Sequence, residues 1–120
     1  MAFIADTVFD NGLTVVGTNG TRLDICSAEP TTYTQATSTL TLGNDTVNTG
    51  APEAGAVDGR RVIVPVISAG AVTGTGTAAF WALTDGSSVL YATGALSASQ
   101  AVTTGNTFSL DAVSITIRDA

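Results

Sequence analysis

The stretch Thr77 to Leu96, reading TAAFWALTDGSSVLYATGAL, constrains the fold of this chain more than any other. It holds the only tryptophan, Trp81, together with Phe80 and Tyr91, in two apolar runs separated by Asp85-Gly86-Ser87-Ser88. Aromatic side chains bury the most area per residue, and an Asp-Gly pair supplies the positive φ of a tight connection. The stretch therefore reads as a β-hairpin at the centre of a core. Within its first strand, Phe80, Ala82 and Thr84 face one way, and Ala79, Trp81 and Leu83 the other.

The rest of the chain agrees with a β fold. It has 21 Thr, 13 Gly and abundant Ala, no Lys and no His, and four Arg. Thr and Val suit a pleated surface, and Gly disfavours helix. A chain of 120 residues is enough for one domain that buries its own core without disulfide or metal. The expectation is a single antiparallel β-sandwich over residues 1–120, Ig-like or jelly-roll-like, with about seven short strands and a short N-terminal helix.

In chain order, Ala5, Val8, Phe9, Gly12, Leu13 and Val16 recur at helical spacing. They predict a helix from Ile4 to Val16, ended by Gly17, with Asp6 and Asp10 on its solvated face. A break near Asn11-Gly12 is the alternative. Arg22 to Ser27 alternates around Leu23 and Ile25 and reads as a strand; Thr31 to Thr37 reads as a loop or single turn, and Thr39 to Leu42 as a second strand. Gly43 to Gly59 is long and polar and reads as a loop that makes contacts. Arg60 to Ser68 is a continuous apolar run, a strand covered on both faces that lies at an edge or bulges at Pro65. Ala69-Gly70-Ala71 reads as a turn and Ser97 to Gln100 as a polar connection. Short strands follow around Val102, Phe108 and Leu110, with a final one at Val113, Ile115 and Ile117.

Ten carboxylates against four arginines give a net charge of −6, and only Arg60 and Arg61 are adjacent, which argues against nucleic-acid binding. No apolar run approaches the ~18 residues of a membrane span. The start, MAFIADTVFD, lacks a basic segment and does not read as a secretory signal, so synthesis in a cytoplasm is expected. Cys26 lies in an alternating run and reads as a small buried hydrophobe, with an intermolecular disulfide left open.

The inventory is poor in chemistry. Without His or Lys, a Ser or Cys nucleophile lacks its usual base, and zinc or transition-metal sites lack their ligands. Asp6 and Asp10 have no third oxygen donor nearby for a cation. Gly74-Thr75-Gly76-Thr77 lacks the lysine of a phosphate loop and leads into a strand. The reading is no catalytic residues, no metal and no cofactor.

The segments DTVFDNGLTVV, RLDICSAEPTTYTQATSTLTLGN and GRRVIVPVISAGAVTGTGTAAFWALTDGSSVLYATGALSASQAVTTGNTFSLDAVSITI together cover nearly the whole chain. ICSAEP, LGN, VTGTGTA, WALTD and ATGALS are their most specific parts. The chain resembles a family of small proteins encoded among the structural genes of tailed bacteriophages and prophages. The resemblance implies a virion component assembled in a bacterial cytoplasm, and it transfers no site residues. Within it the expectation is a non-enzymatic capsid decoration or cement subunit that stabilises the head shell. Its partners would be the major capsid protein or other virion proteins, with self-association as a trimer. The alternatives are a tail-tip or tail-fibre attachment component, or a carbohydrate- or receptor-binding module using Trp81 and Tyr91. Contacts are expected on the N-terminal segment and the long polar stretch, at Asn48, Pro52, Glu53, Val57, Arg60 and Arg61.

Overall fold

Helix α1 (Asp6–Asn19) leads into β1 (Arg22–Cys26), and a single π-helical turn (Gln35–Thr39) precedes β2 (Thr41–Thr46). Then come β3 (Glu53–Ala54), β4 (Arg60–Val64), β5 (Ile67–Val72), β6 (Gly76–Thr84), β7 (Leu90–Val102), β8 (Thr107–Leu110) and β9 (Val113–Ile117). This is a computed structural model; it describes residues 6–55 and 59–117, with side chains from residue 10 onward. Two antiparallel sheets form a sandwich-like β domain: a curled six-stranded sheet in the order β7-β6-β1-β2-β5-β8, and a three-stranded sheet in the order β3-β4-β9.

β1 sits in the middle of the large sheet because its two faces are both buried. Leu23 and Ile25 lie opposite Leu83 and Trp81 of β6 and enter the main core with Leu42, Val72, Ala78, Val102 and Phe108. The small sheet closes this core with Val64, Val113 and Ile115. Each fully buried Leu, Ile or Val side chain contributes roughly 1.5–3 kcal/mol. On the other face Cys26 and Ala82 pack with Ala36, Leu40, Phe80 and Leu90, so the segment around the π turn covers the back of the sheet. The expected opposition of Phe80 and Ala82 to Trp81 and Leu83 is thus observed.

That second face also buries a charge. Asp24 is fully buried and accepts from Arg22 Nε at 2.8 Å, Arg22 Nη2 at 3.1 Å and Thr41 Oγ1 at 2.7 Å. The hydrogen bond to Asp24 pushes the Arg22 guanidinium above its ordinary pKa. Beside it, the Cys26 thiol donates to the Ala36 carbonyl at 3.6 Å, and burial pushes its pKa up to about 12.

The hairpin turn is built as the sequence predicts. Gly86 has φ of 76°. The Asp85 carboxylate accepts from the backbone N–H groups of Ser88 and Ser87 at 2.8 Å and of Val89 at 3.0 Å. Those bonds hold the carboxyl below its usual pKa, those from Ser88 and Val89 acting most strongly.

Several expected boundaries move. The helix passes Gly17 and runs to Asn19, without a break at Asn11-Gly12; its expected start at Ile4 lies outside the described residues. A Cβ at Gly17 would come within 2.8 Å of the Gly50 carbonyl oxygen, so packing requires the glycine there, not helix termination. The Arg60 to Ser68 run is two strands, one in each sheet, divided at Pro65-Val66. Proline cannot continue the ladder, and the chain crosses between sheets at that point. The expected turn at Ala69-Gly70-Ala71 lies within β5, and the polar stretch beginning at Gly43 is strand as far as Thr46 and again at Glu53–Ala54. Ser97 to Gln100 belongs to β7, although the pairing with β6 slips there: Gln100 faces Ala78 and Ala95 faces Phe80, so residues 96–99 bulge out against Ala79 alone. The described strands number nine, not seven.

Candidate interaction surfaces

The helix and the long polar segment meet on the small sheet. Leu13 of α1 is fully buried, and Gly17 lies against Gly50 and the Val62 side chain. Asp10 accepts from Arg60 Nε at 2.8 Å, so this carboxylate is ion-paired and not merely solvated. Residues 47–50 are pinned by Val47 N–H to the Thr21 carbonyl at 2.8 Å, Thr49 Oγ1 to the Gly20 carbonyl at 3.0 Å and Gly50 N–H to the Ile63 carbonyl at 3.3 Å. Glu53 stands directly across from Arg61 and accepts from its Nη2 at 3.3 Å, while the buried Arg61 Nε meets no acceptor.

Of the expected contact residues, Asn48 and Glu53 are exposed and Pro52, Arg60 and Arg61 are half-buried; Val57 lies outside the described residues. The structure does not gather them on one face: Arg60 pairs with Asp10 of α1, whereas Arg61, the next residue of the same regular strand, projects from the opposite face of the small sheet and pairs with Glu53. Pro52 lies beside α1. There, Thr14, Thr18, Thr49 and Pro52 border a shallow groove of about 320 Å³. Its lining is neutral, and Arg60 and Arg61 have carboxylate partners within the chain.

A second feature was not anticipated from the sequence. Residues 103–106 turn the chain from β7 into β8, with Gly105 at φ of 91° and Asn106 N–H donating to the Thr103 carbonyl at 3.0 Å. Continued as a hairpin, this turn would set Gln100 opposite Ser109. The strands instead part, and β7 and β8 become the two edges of the curled sheet. Gln100 Nε2 spans the gap and donates to the Ser109 carbonyl at 2.9 Å. Beyond that bridge opens a cleft of about 390 Å³, between the β7 bulge and residues 109–113, with Trp81 in its wall.

Trp81 is only 8 % exposed, and Tyr91 is half-buried. A Cβ at Gly94 would lie within 2.7 Å of the indole. One face of the ring is therefore occupied by its own sheet, and Trp81 offers no open stacking platform. The sequence signals for the cleft were indirect: a turn at residues 103–106 whose arms carry Gln and Ser, and an uncharged run over residues 86–110.

Among the described residues no group of three or more His, Cys, Asp or Glu could hold a metal ion. No helix among them is long and apolar enough to cross a membrane. Comparison with known proteins adds no relative: no family model, no curated protein and no solved structure matches this chain.

Proposed function

We propose that this chain is a non-enzymatic structural protein of a bacteriophage virion, a capsid decoration or cement subunit that stabilises the head shell. The observation that supports it best is that both arginines of β4 are ion-paired within the chain, Arg60 to Asp10 of α1 and Arg61 to Glu53 of β3. A face whose charges are matched internally can be covered by another protein without leaving an uncompensated ion. Binding only to the assembled shell, such a subunit would add its binding free energy to shell stability by linkage.

The test is co-sedimentation of purified protein with empty shells of the phage or prophage that encodes it, followed by heating of the loaded shells. The wild type should bind and raise the temperature at which shells open. Asn48→Arg combined with Pro52→Arg should stay folded and remain in the supernatant. Deleting residues 48–57 is a poorer test, because it removes β3 and the Gly50 bond to Ile63 that hold the small sheet. Failure of the wild type to bind shells, or full binding by the double variant, overturns the proposal. A copy number per virion matching the tail tip and not the capsid lattice would move the protein to the tail.

A further inference from the structure

We propose that the seam between β7 and β8 accepts an extended, uncharged segment of another polypeptide as an added strand. The inference is independent of the virion reading, since it concerns only what the seam can bind.

The argument begins with what the two edges lack. Adjacent strands pair at about 4.8 Å through backbone bonds, and an edge strand presents its outward N–H and C=O groups unpaired. β7 and β8 are connected by a tight turn yet are not hydrogen-bonded neighbours. The Ser109 carbonyl is met by a side-chain amide, from Gln100, where a neighbouring strand would supply a backbone N–H. Past that bridge only Leu110 of β8 remains, and the cleft opens between the β7 bulge and residues 109–113.

The walls of the opening suit a backbone. Ala95, Ser97, Ala98, Ser109 and Ala112 are small, so another chain can approach the main chain of both sides closely. The indole N–H of Trp81 meets no acceptor among the described residues, although the residue is more than nine-tenths buried and forms part of the cleft wall. An extended segment brings carbonyls on alternate residues, which supplies that acceptor. The 96–99 bulge bends β7 at the cleft and places Leu96, Ser97 and Ala98 in its wall.

Charge sets the chemistry of the occupant. Residues 86–110 contain no Asp, Glu, Lys or Arg, whereas the short edge strand β3 carries the Glu53–Arg61 pair. Native proteins blunt exposed edges by shortening, charging or bulging them, and in β7 only the bulge at 96–99 is present. β7 is thirteen residues long and uncharged. Only Asp111 at the mouth of the cleft is ionic, so the added segment is neutral, with apolar residues on the side facing Trp81 and Leu96.

The experiment pans the intact protein against a randomised library of linear peptides about nine residues long, enough to form one strand. The counter-target is the Ala98→Arg/Ala112→Arg variant; both positions are exposed, so its melting temperature should match the wild type. Enriched peptides should be uncharged, alternate apolar and polar residues, and shift the emission of Trp81, the only tryptophan. They should bind the double variant about tenfold more weakly or worse, and Trp81→Phe, which keeps a ring and loses the N–H, several-fold more weakly. The proposal is overturned if no peptide is enriched over the counter-target, or if the enriched peptides bind both proteins equally. It is also overturned if neutral monosaccharides change Trp81 emission while no peptide does, which would make the cleft a sugar site.

Discussion

Trp81 of β6 lies directly across from Gly94 of β7, and its indole fills the space that a side chain at Gly94 would need. The same arrangement recurs at the other edge, where Phe108 of β8 lies across from Gly70 of β5 and its ring occupies the Cβ position there. In both pairs the glycine's missing side chain is what allows a large ring to lie flat against the sheet. Gly94→Ala should therefore destabilise the protein by about 1–3 kcal/mol through overpacking. Adding Trp81→Leu should recover part of that loss, although Trp81→Ala alone costs about 3–5 kcal/mol. Urea denaturation of the two single variants and the Gly94→Ala/Trp81→Leu double variant checks the coupling.

Removing Asp24 leaves the partly buried Arg22 guanidinium and the Thr41 hydroxyl without their acceptor. Asp24→Ala should cost about 3–5 kcal/mol, while replacing the pair together, Asp24→Leu with Arg22→Met, should cost less than the single change. Equilibrium unfolding of the three variants distinguishes a pair that is needed for stability from one that merely must not be broken.

Cys26 gives a pH dependence with a defined sign. Its thiol pKa is raised from about 9 in the unfolded chain to about 12 in the fold. The native state therefore holds the proton more tightly. Its contribution is fully present below pH 9 and is lost as pH rises from 9 toward 12. The stability of the wild type should fall more steeply over that window than that of Cys26→Ala, measured by denaturant titration at several pH values. At pH 8 the native thiol should not react with Ellman's reagent, and unfolding in guanidinium should release one equivalent.

At the hairpin turn the sign is opposite. The Asp85 carboxyl is held below its ordinary value by backbone N–H bonds, so its contribution is present above about pH 4 and is lost as pH falls through the folded pKa. Asp85→Asn keeps an oxygen acceptor without the charge and should flatten the acid limb of the stability curve. Gly86→Ala forces a side chain into a left-handed conformation and should cost about 1–2 kcal/mol at every pH.

The elements most legible in the sequence were those where one local signal acts alone. Asp85-Gly86 marked its turn, the alternation at Leu23 and Ile25 marked β1, and the odd-even pattern set Phe80 and Ala82 opposite Trp81 and Leu83, although it fails at Ala78, which joins the Trp81 core where the ladder slips. The misreadings share a physical cause, because a glycine can serve a turn or make room for a neighbour. Gly17 and Gly70 were read as punctuation, yet one accommodates the Gly50 carbonyl and the other the Phe108 ring. Neither neighbour is close in sequence. Pro65 was recognised as disruptive, but a change of sheet cannot be distinguished from a bulge without the partner strands. Of the expected contact residues, Arg60 is tied to α1 through Asp10 and Arg61 to β3 through Glu53, and their adjacency in the sequence puts them on opposite faces of one strand. The β7–β8 seam was hidden because a well-formed turn ordinarily implies a paired hairpin.

The position of β1 also governs how the chain reaches this structure. Arg22 pairs with Thr84, and every residue of β1 has its β6 partner more than fifty positions further along the chain. The central ladder cannot close on a ribosome until most of the polypeptide has emerged, and α1 must wait for β4 before it has a surface to cover. Folding dominated by such distant pairings takes milliseconds to seconds, not microseconds. During that interval the uncharged β7 segment is available to other nascent copies, so yield should depend on synthesis rate and temperature more steeply than the stability of the finished fold would suggest.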